Sequence, residues 1–427
     1  MRGKIAAAAR NLLNSKLFLF IGFFFIFGSS LSPIIILIAN RQSLTTTPAA
    51  AHFYSPVPDD RLPMVLAAEI TPKKVFGYLP FWNLSEAASL RYRDLSLVYY
   101  FGATVLGDGS FDKTEPGWQR MDSPEFRTFQ ELAAKYHTRM GLTVLNMDQD
   151  NIAAVIGNPN RQKKVIDNTL KLMREQGFTD INVDFEYINA APDSLVEGYN
   201  HFIERFTNAL HQEIPGSTLT VATLSDAAWK NRIYNIKTIS AVSDGIIVMT
   251  YDFNRLDSQA AGPIAPLFGK EKYQYDVYTT VVDYLRDMSA PKLVLGIPFY
   301  GYEWPTVDSK PNSFVLGYST FGPAVSSYKR TMEVAAENKA SINFDDQSKS
   351  PWFSYFDKAS RTWRQVWFEN ERSLGLKLDL VNQANLGGIA IWALGYDGDE
   401  NATGSAALWQ TVRDKIRPTQ NLTKRLN

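Results

Sequence analysis

From about residue 73 the chain alternates short apolar runs with longer amphipathic stretches. The runs are VFGYLPF (75–81), LSLVYYFG (95–102), RMGLTVLN (139–146), INVDFEY (181–187), TLTVATL (218–224), GIIVMTY (245–251), KLVLGIPFY (292–300) and GGIAIWAL (387–394). Each has the length and the β-branched and aromatic content of a strand. Between them, RQKKVIDNTLKLMREQ (161–176) puts Val165, Ile166, Leu170, Leu172 and Met173 roughly on one helical face, and Gly177 is placed to end it. A second helix is predicted over 193–214. Strands alternating with helices predict a parallel sheet. Eight such units predict an α/β fold closed as a (β/α)8 TIM barrel, typically ~250 residues. The alternative, an open doubly wound sheet, lacks a glycine-rich phosphate fingerprint after any strand. Residues 301–386 are too long for one crossover and hold strand-like patches at FSYFD (353–357) and RQVWFE (364–369). They predict a small α+β insertion between strands 7 and 8, followed by the last helices.

The N-terminal pattern is different. Residues 1–16 carry Arg2, Lys4, Arg10 and Lys16 and no acid, and 17–39 carry no charge at all. An apolar run of about 20 residues can span a bilayer as a helix. Basic residues before it predict a cytoplasmic segment 1–16, a transmembrane signal-anchor 17–39 and an extracytoplasmic remainder. A cleaved signal peptide followed by secretion is the alternative, because the first apolar block ends at Gly28-Ser29-Ser30. Residues 40–72, rich in Thr, Ala, Pro and Ser, read as a linker. The barrel then occupies 73–415 and a polar tail 416–427.

Composition narrows the chemistry. The 427 residues are 45% hydrophobic and 21% charged, ordinary values for a globular chain. The 44 basic and 44 acidic residues cancel, which removes the electrostatic footprint of a nucleic-acid partner. There is no cysteine, so disulfides, thiolate nucleophiles and cysteine metal sites are excluded. His52, His137, His201 and His211 are far apart, without metal-ligand spacing. A monomer is expected.

One strand departs from the apolar pattern. Strands of a parallel sheet usually read apolar on both faces. In INVDFEY, however, Asn182, Asp184 and Glu186 alternate with Ile181, Val183 and Phe185. The apolar set would meet the surrounding helices, and the polar set would point into the barrel. Unpaired buried charge is too unfavourable to serve as filler. Glu186 is nearest the C-terminal end, where barrel active sites form. From this strand alone a structural polar network remains the alternative. Two carboxylates at i and i+2 have backbones about 7 Å apart, and like charges that close raise the pKa of one member. Glu186 could then stay protonated near neutral pH and act as a proton donor. Both acids stand on one wall, however, whereas two-carboxylate glycosidases place theirs on opposite sides of the bond. A nucleophile would have to come from elsewhere, for example from the substrate.

These residues resemble glycoside hydrolase family 18, the chitinase-like family. TDINVDFE (179–186) aligns with its strand-four D-G-x-D-x-D-x-E signature, and GIIVMTYDFN (245–254) resembles the strand-six M-x-Y-D signature. SQAAGPIAP (258–266), GIPFYGYEW (296–304) and GGIAIWALGYDGDE (387–400) resemble the family's later segments, in family order. The flavour of strand four and the W-A-L-G-Y-D ending are most similar to the bacterial spore-cortex-lytic and germination branch. The resemblance implies substrate-assisted hydrolysis of an N-acetylated polysaccharide, with no cofactor or metal. In it the acetamido oxygen of the sugar attacks its own anomeric carbon. Glu186 would be acid and then base, Asp184 would orient the acetamido N–H, and Tyr251 would hydrogen-bond the acetamido carbonyl. Met249 and Asp252 would line the reacting-sugar subsite and Trp392 would floor it. Asn182, Tyr78 and Phe101 complete the substrate-facing set. Trp82, Tyr100, Tyr302 and Trp304 either touch sugar or pack in the core.

The match departs from the pattern in places. Thr179 stands where the family has its first aspartate, Asp180 where it has glycine, and Asn182 where it has the middle aspartate. Asn182 cannot ionise, so Asp184 lacks a like-charged neighbour and an altered pH profile is expected. GLTVLN (141–146) replaces the family's S-x-G-G on strand three. The expected activity is cleavage of β-1,4 bonds in N-acetylglucosamine polymers at the cell surface, peptidoglycan before chitin. The alternative is a non-catalytic, lectin-like relative using the same cleft.

Overall fold

The computed structural model describes residues 72–317, 322–399 and 402–416. Seven parallel strands come first: β1 (Lys74–Pro80), β2 (Leu97–Thr104), β3 (Arg139–Asn146), β4 (Asp180–Phe185), β5 (Leu219–Leu224), β6 (Gly245–Met249) and β7 (Leu293–Pro298). Five strands follow in a separate antiparallel sheet: β8 (Tyr300–Thr306), β9 (Ala324–Ser327), β10 (Asn343–Asp345), β11 (Ser350–Asp357) and β12 (Thr362–Trp367). The last strand, β13 (Gly388–Trp392), then enters between β7 and β1 and closes an eight-stranded barrel. The TIM barrel expected from the hydrophobic pattern is therefore present, with every one of its strands overlapping a run read from the sequence.

Local sequence explains the crossovers. The helix Pro159–Gln176 starts with Asn158 accepting from the backbone of Asn160 and Arg161, has proline at its first position, and ends at Gly177 with φ 74°. Its buried face carries Val165, Ile166, Leu170, Leu172 and Met173. The helix Asp193–Glu213 buries Leu195, Tyr199, Phe202, Ile203, Phe206 and Leu210 on the next stretch of barrel. Side chains alternate along each strand, so the apolar residues split in two. The larger core lies between strands and helices. A smaller one, including Phe76, Tyr78, Tyr99, Phe101, Leu145 and Ile247, fills the barrel interior.

The insertion is a five-stranded sheet in the order β10-β11-β12-β8-β9, with the helix Tyr328–Glu337 after β9. The helix Glu371–Gln383 then leads back to β13. Because β8 begins two residues after β7 ends, the small sheet grows directly from the C-terminal rim of the barrel.

The membrane-anchored placement has to be corrected. Among the described residues no helix is long and apolar enough to cross a membrane. The segment 17–39, on which that placement rested, lies outside the described residues. So do 1–16, the linker up to residue 71 and the tail after Ile416.

Candidate active site

β4 divides its side chains as the alternation requires. Ile181, Val183 and Phe185 are fully buried on the helix side, where Phe185 stacks on Phe202 at 5.7 Å. Asn182 points into the barrel and is completely enclosed. Tyr78 Oη donates to Asn182 Oδ1 at 3.1 Å, and Asn182 Nδ2 donates to Thr220 Oγ1 at 3.0 Å. Thr220 Oγ1 also pairs with Tyr99 Oη at 2.9 Å. Tyr99 fits inside the barrel because position 141 is glycine; a Cβ there would lie 2.3 Å from the Tyr99 ring. Asn182 thus sits beneath the site as a strut, its amide held by the adjacent β5 and, across the barrel, by β1.

Above it stands Asp184, which is 4% exposed and has no hydrogen-bond partner for Oδ1. Burial raises its pKa well above the usual carboxylate range. Glu186, half-buried at the rim just past β4, is raised further. Burial is the main cause, the negative charges of Asp184 and Asp252 add to it, and Arg255 opposes it. Of the two, Glu186 is the one favoured in its protonated form near neutral pH, the state a proton donor needs, with Asp184 able to carry the charge beside it.

β6 delivers the other side. Met249 is its last residue, and Tyr251 and Asp252 follow after Thr250. Asp252 has φ 60°, a left-handed backbone that an aspartate tolerates better than most residues. Its Oδ1 accepts from Tyr300 Oη and, at 2.8 Å, from Tyr302 Oη. These bonds partly offset the burial that raises the pKa of Asp252. Tyr251 lies close to Asp184, Asp252 and Glu186, as their effect on its phenol requires. Its ring also packs edge-on to Tyr300 at 6.1 Å.

Aromatic rings cover the opposite wall. Trp392, at the end of β13, lies 4.8 Å from Phe101, 5.7 Å from Tyr78 and 6.0 Å from Trp82, centroid to centroid. Trp82 Nε1 donates to Tyr396 Oη at 3.1 Å. All nine residues singled out on the sequence therefore belong to the barrel interior or its C-terminal rim. Of the further aromatics, Trp82 joins the Trp392 cluster and Tyr302 positions Asp252. Trp304 is fully buried and donates to Arg255 O at 3.1 Å. Tyr100 faces the helices, packed on Phe126 and donating to Gly117 O at 2.7 Å, because Tyr99 and Phe101 on either side of it point into the barrel and strand side chains alternate.

Sequence reasoning missed Tyr300, Tyr396 and Thr220. The spacing of Tyr300 and Tyr302 carried a usable signal, since residues two apart on a strand share a face. Thr220 carried none, because its role depends on register between β4 and β5.

The Glycosyl hydrolases family 18 model matches residues 75–397, and the chain belongs to that family. By its description the family is one of glycosyl hydrolases. The cortical fragment-lytic enzyme of Bacillus subtilis (strain 168) is 28% identical over 311 residues, covering 70% of this chain and 66% of that protein. The chain thus spans slightly less than two thirds of that relative. Di-N-acetylchitobiase of Rattus norvegicus is 26% identical over 333 residues, covering 72% of this chain and 87% of that one. Among solved structures, the spore cortex-lytic enzyme SleL of Bacillus megaterium QM B1551 has a TM-score of 0.64 at 20% identity, covering 81% of this chain and 74% of that one. It shares the fold.

Proposed function

We propose that this protein hydrolyses β-1,4 bonds in N-acetylglucosamine-containing polymers by substrate-assisted, retaining catalysis. Glu186 protonates the leaving oxygen and then deprotonates the water. Asp184 orients the acetamido N–H and stabilises the cationic intermediate. Tyr251 donates to the acetamido carbonyl. Met249 and Asp252 line the sugar's pocket, and Trp392, with Tyr78 and Phe101 packed beside it, supports the pyranose face.

One observation carries this reading. Asp184 and Glu186 rise from a single strand, both raised in pKa. Asp252, the carboxylate of another element that acts on Glu186, has an oxygen engaged by two phenols. A paired nucleophile on the far side of the bond is therefore not at hand, and the sugar's own acetamide supplies one. Peptidoglycan is the first polymer to test, given the name of the Bacillus relative, and chitin oligomers the second.

Digestion of purified peptidoglycan and of N-acetylglucosamine oligomers, with mass analysis of products, tests the proposal. Wild type should release fragments with the β-anomer formed first. Glu186→Gln should lower turnover by about 10²–10⁴-fold while still binding the oligomer. Wild-type protein that binds sugar without cleaving any of these polymers would favour a carbohydrate-binding role instead.

A further inference from the structure

The backbone that carries Glu186 leaves the sheet after Phe185, yet it is fixed at nearly every polar group. Glu186 N–H donates to Asn146 O at 2.9 Å. Phe185 O accepts from Tyr234 Oη at 2.6 Å. Glu186 O accepts from Gln149 Nε2 at 2.9 Å, and the same side chain's Oε1 accepts from Ile188 N–H at 2.8 Å. Ile188 O in turn accepts from Arg232 Nη1. The remaining guanidinium edge of Arg232 is taken by Asp226, at 3.1 Å from Nε and 2.8 Å from Nη2.

We infer that Gln149 and Arg232 are positioning residues that clamp the Glu186–Ile188 segment from its two sides. The inference rests on the proposed role of Glu186. Gln149 comes from the start of the helix that follows β3 and Arg232 from the loop after β5, so the segment is held by the connections of both neighbours of β4. The chemistry suits the task. A glutamine amide offers a donor and an acceptor at one end, and here they meet a C=O and an N–H two residues apart. Arg232 is locked by a two-point contact with Asp226, which leaves one N–H aimed at Ile188. Gln149 is the first residue of the helix Gln149–Ile156, with Asp148 as its cap, so its backbone is itself fixed. Without the clamp, the chain would be anchored only up to the Glu186 N–H, and the Glu186 carbonyl and Ile188 would lose their partners. A displacement of about 1 Å at such a group can lower a rate a hundredfold.

The test compares Gln149→Leu, Arg232→Lys and Glu186→Gln on an N-acetylglucosamine oligomer. Gln149→Leu should lower kcat about tenfold or more with KM within about twofold, because the group displaced works on the reacting bond and not on binding. Arg232→Lys, which loses the fork, should show a smaller fall of the same kind. Combined with Glu186→Gln, Gln149→Leu should leave oligomer affinity within about twofold of the single variant. If Gln149→Leu does not fold, Gln149→Glu replaces it; it keeps the acceptor for Ile188 but sets a carboxylate oxygen against Glu186 O, and should likewise lower kcat about tenfold or more. A kcat within twofold of wild type for the Gln149 variant, while Glu186→Gln abolishes turnover, overturns the clamp alone. Full turnover in Glu186→Gln overturns the acid–base reading and the clamp with it.

Discussion

The two ends of β4 hold carboxylates in opposite conditions. Asp180, at the N-terminal end, is fully buried and fully satisfied. It accepts from Arg139 Nη2 at 2.6 Å, Thr218 N–H at 2.9 Å, Thr218 Oγ1 at 2.6 Å and Thr179 Oγ1 at 2.7 Å. Asp184, four residues on, is as enclosed but has an oxygen with no partner. Burying a carboxylate is tolerable when donors surround it and unfavourable when they do not. The barrel has solved that problem at its base and left it open at its mouth. The base reads as stability and the mouth as chemistry, the division common to barrels of this architecture.

That contrast can be broken at each end. The largest effect is expected from Asp184→Asn, which should lower kcat by about a hundredfold or more in oligomer hydrolysis without lowering the melting temperature. Asp180→Ala should do the reverse: kcat for the folded enzyme stays within about twofold, while urea unfolding shows a loss of about 1–3 kcal/mol from the orphaned donors.

A subtler effect concerns pH. The carboxyl of Glu186 is pushed from 4.5 to about 8 by burial and by its acidic neighbours. Between those values the folded protein holds a proton that the unfolded chain has released, so stability is greatest at low pH and falls as pH rises through the window. Glu186→Gln removes that penalty. Its melting temperature should match wild type near pH 4 and exceed it by about 2 °C near pH 8. An equal offset at both pH values would show that the carboxyl is not held protonated.

The smallest effect is expected from Asn182→Asp, which restores a like charge beneath Asp184. It should move the acidic limb of the pH–rate profile upward by about one unit or less, because the neighbour disfavours ionisation of Asp184. An unmoved limb would mean that Asp184 does not set it.

The eight barrel strands were legible because each is a short apolar run flanked by a helix with its own period and stop signal, as at Gly177. The direction of Asp184 was legible because a strand's period of two leaves no freedom. The accessory sheet was legible only in part. β11 contains FSYFD and β12 overlaps RQVWFE, whereas β9 and β10 are four and three residues long and carry no pattern. Asp180 read merely as a departure from a motif, since its partners Arg139 and Thr218 lie 41 and 38 residues away. Gln149, at a helix start, and Arg232, in a loop, were silent for the same reason: such a side chain announces its partner only after the chain has folded.

The two phenols on Asp252 have a consequence for how this barrel can be re-engineered. They come from β8, the strand that founds the accessory sheet. That sheet is therefore no detachable ornament. Excising it to obtain a minimal barrel would strip the rim of Asp252's two donors, and a foreign domain spliced in its place would have to begin with tyrosines at the same two registers.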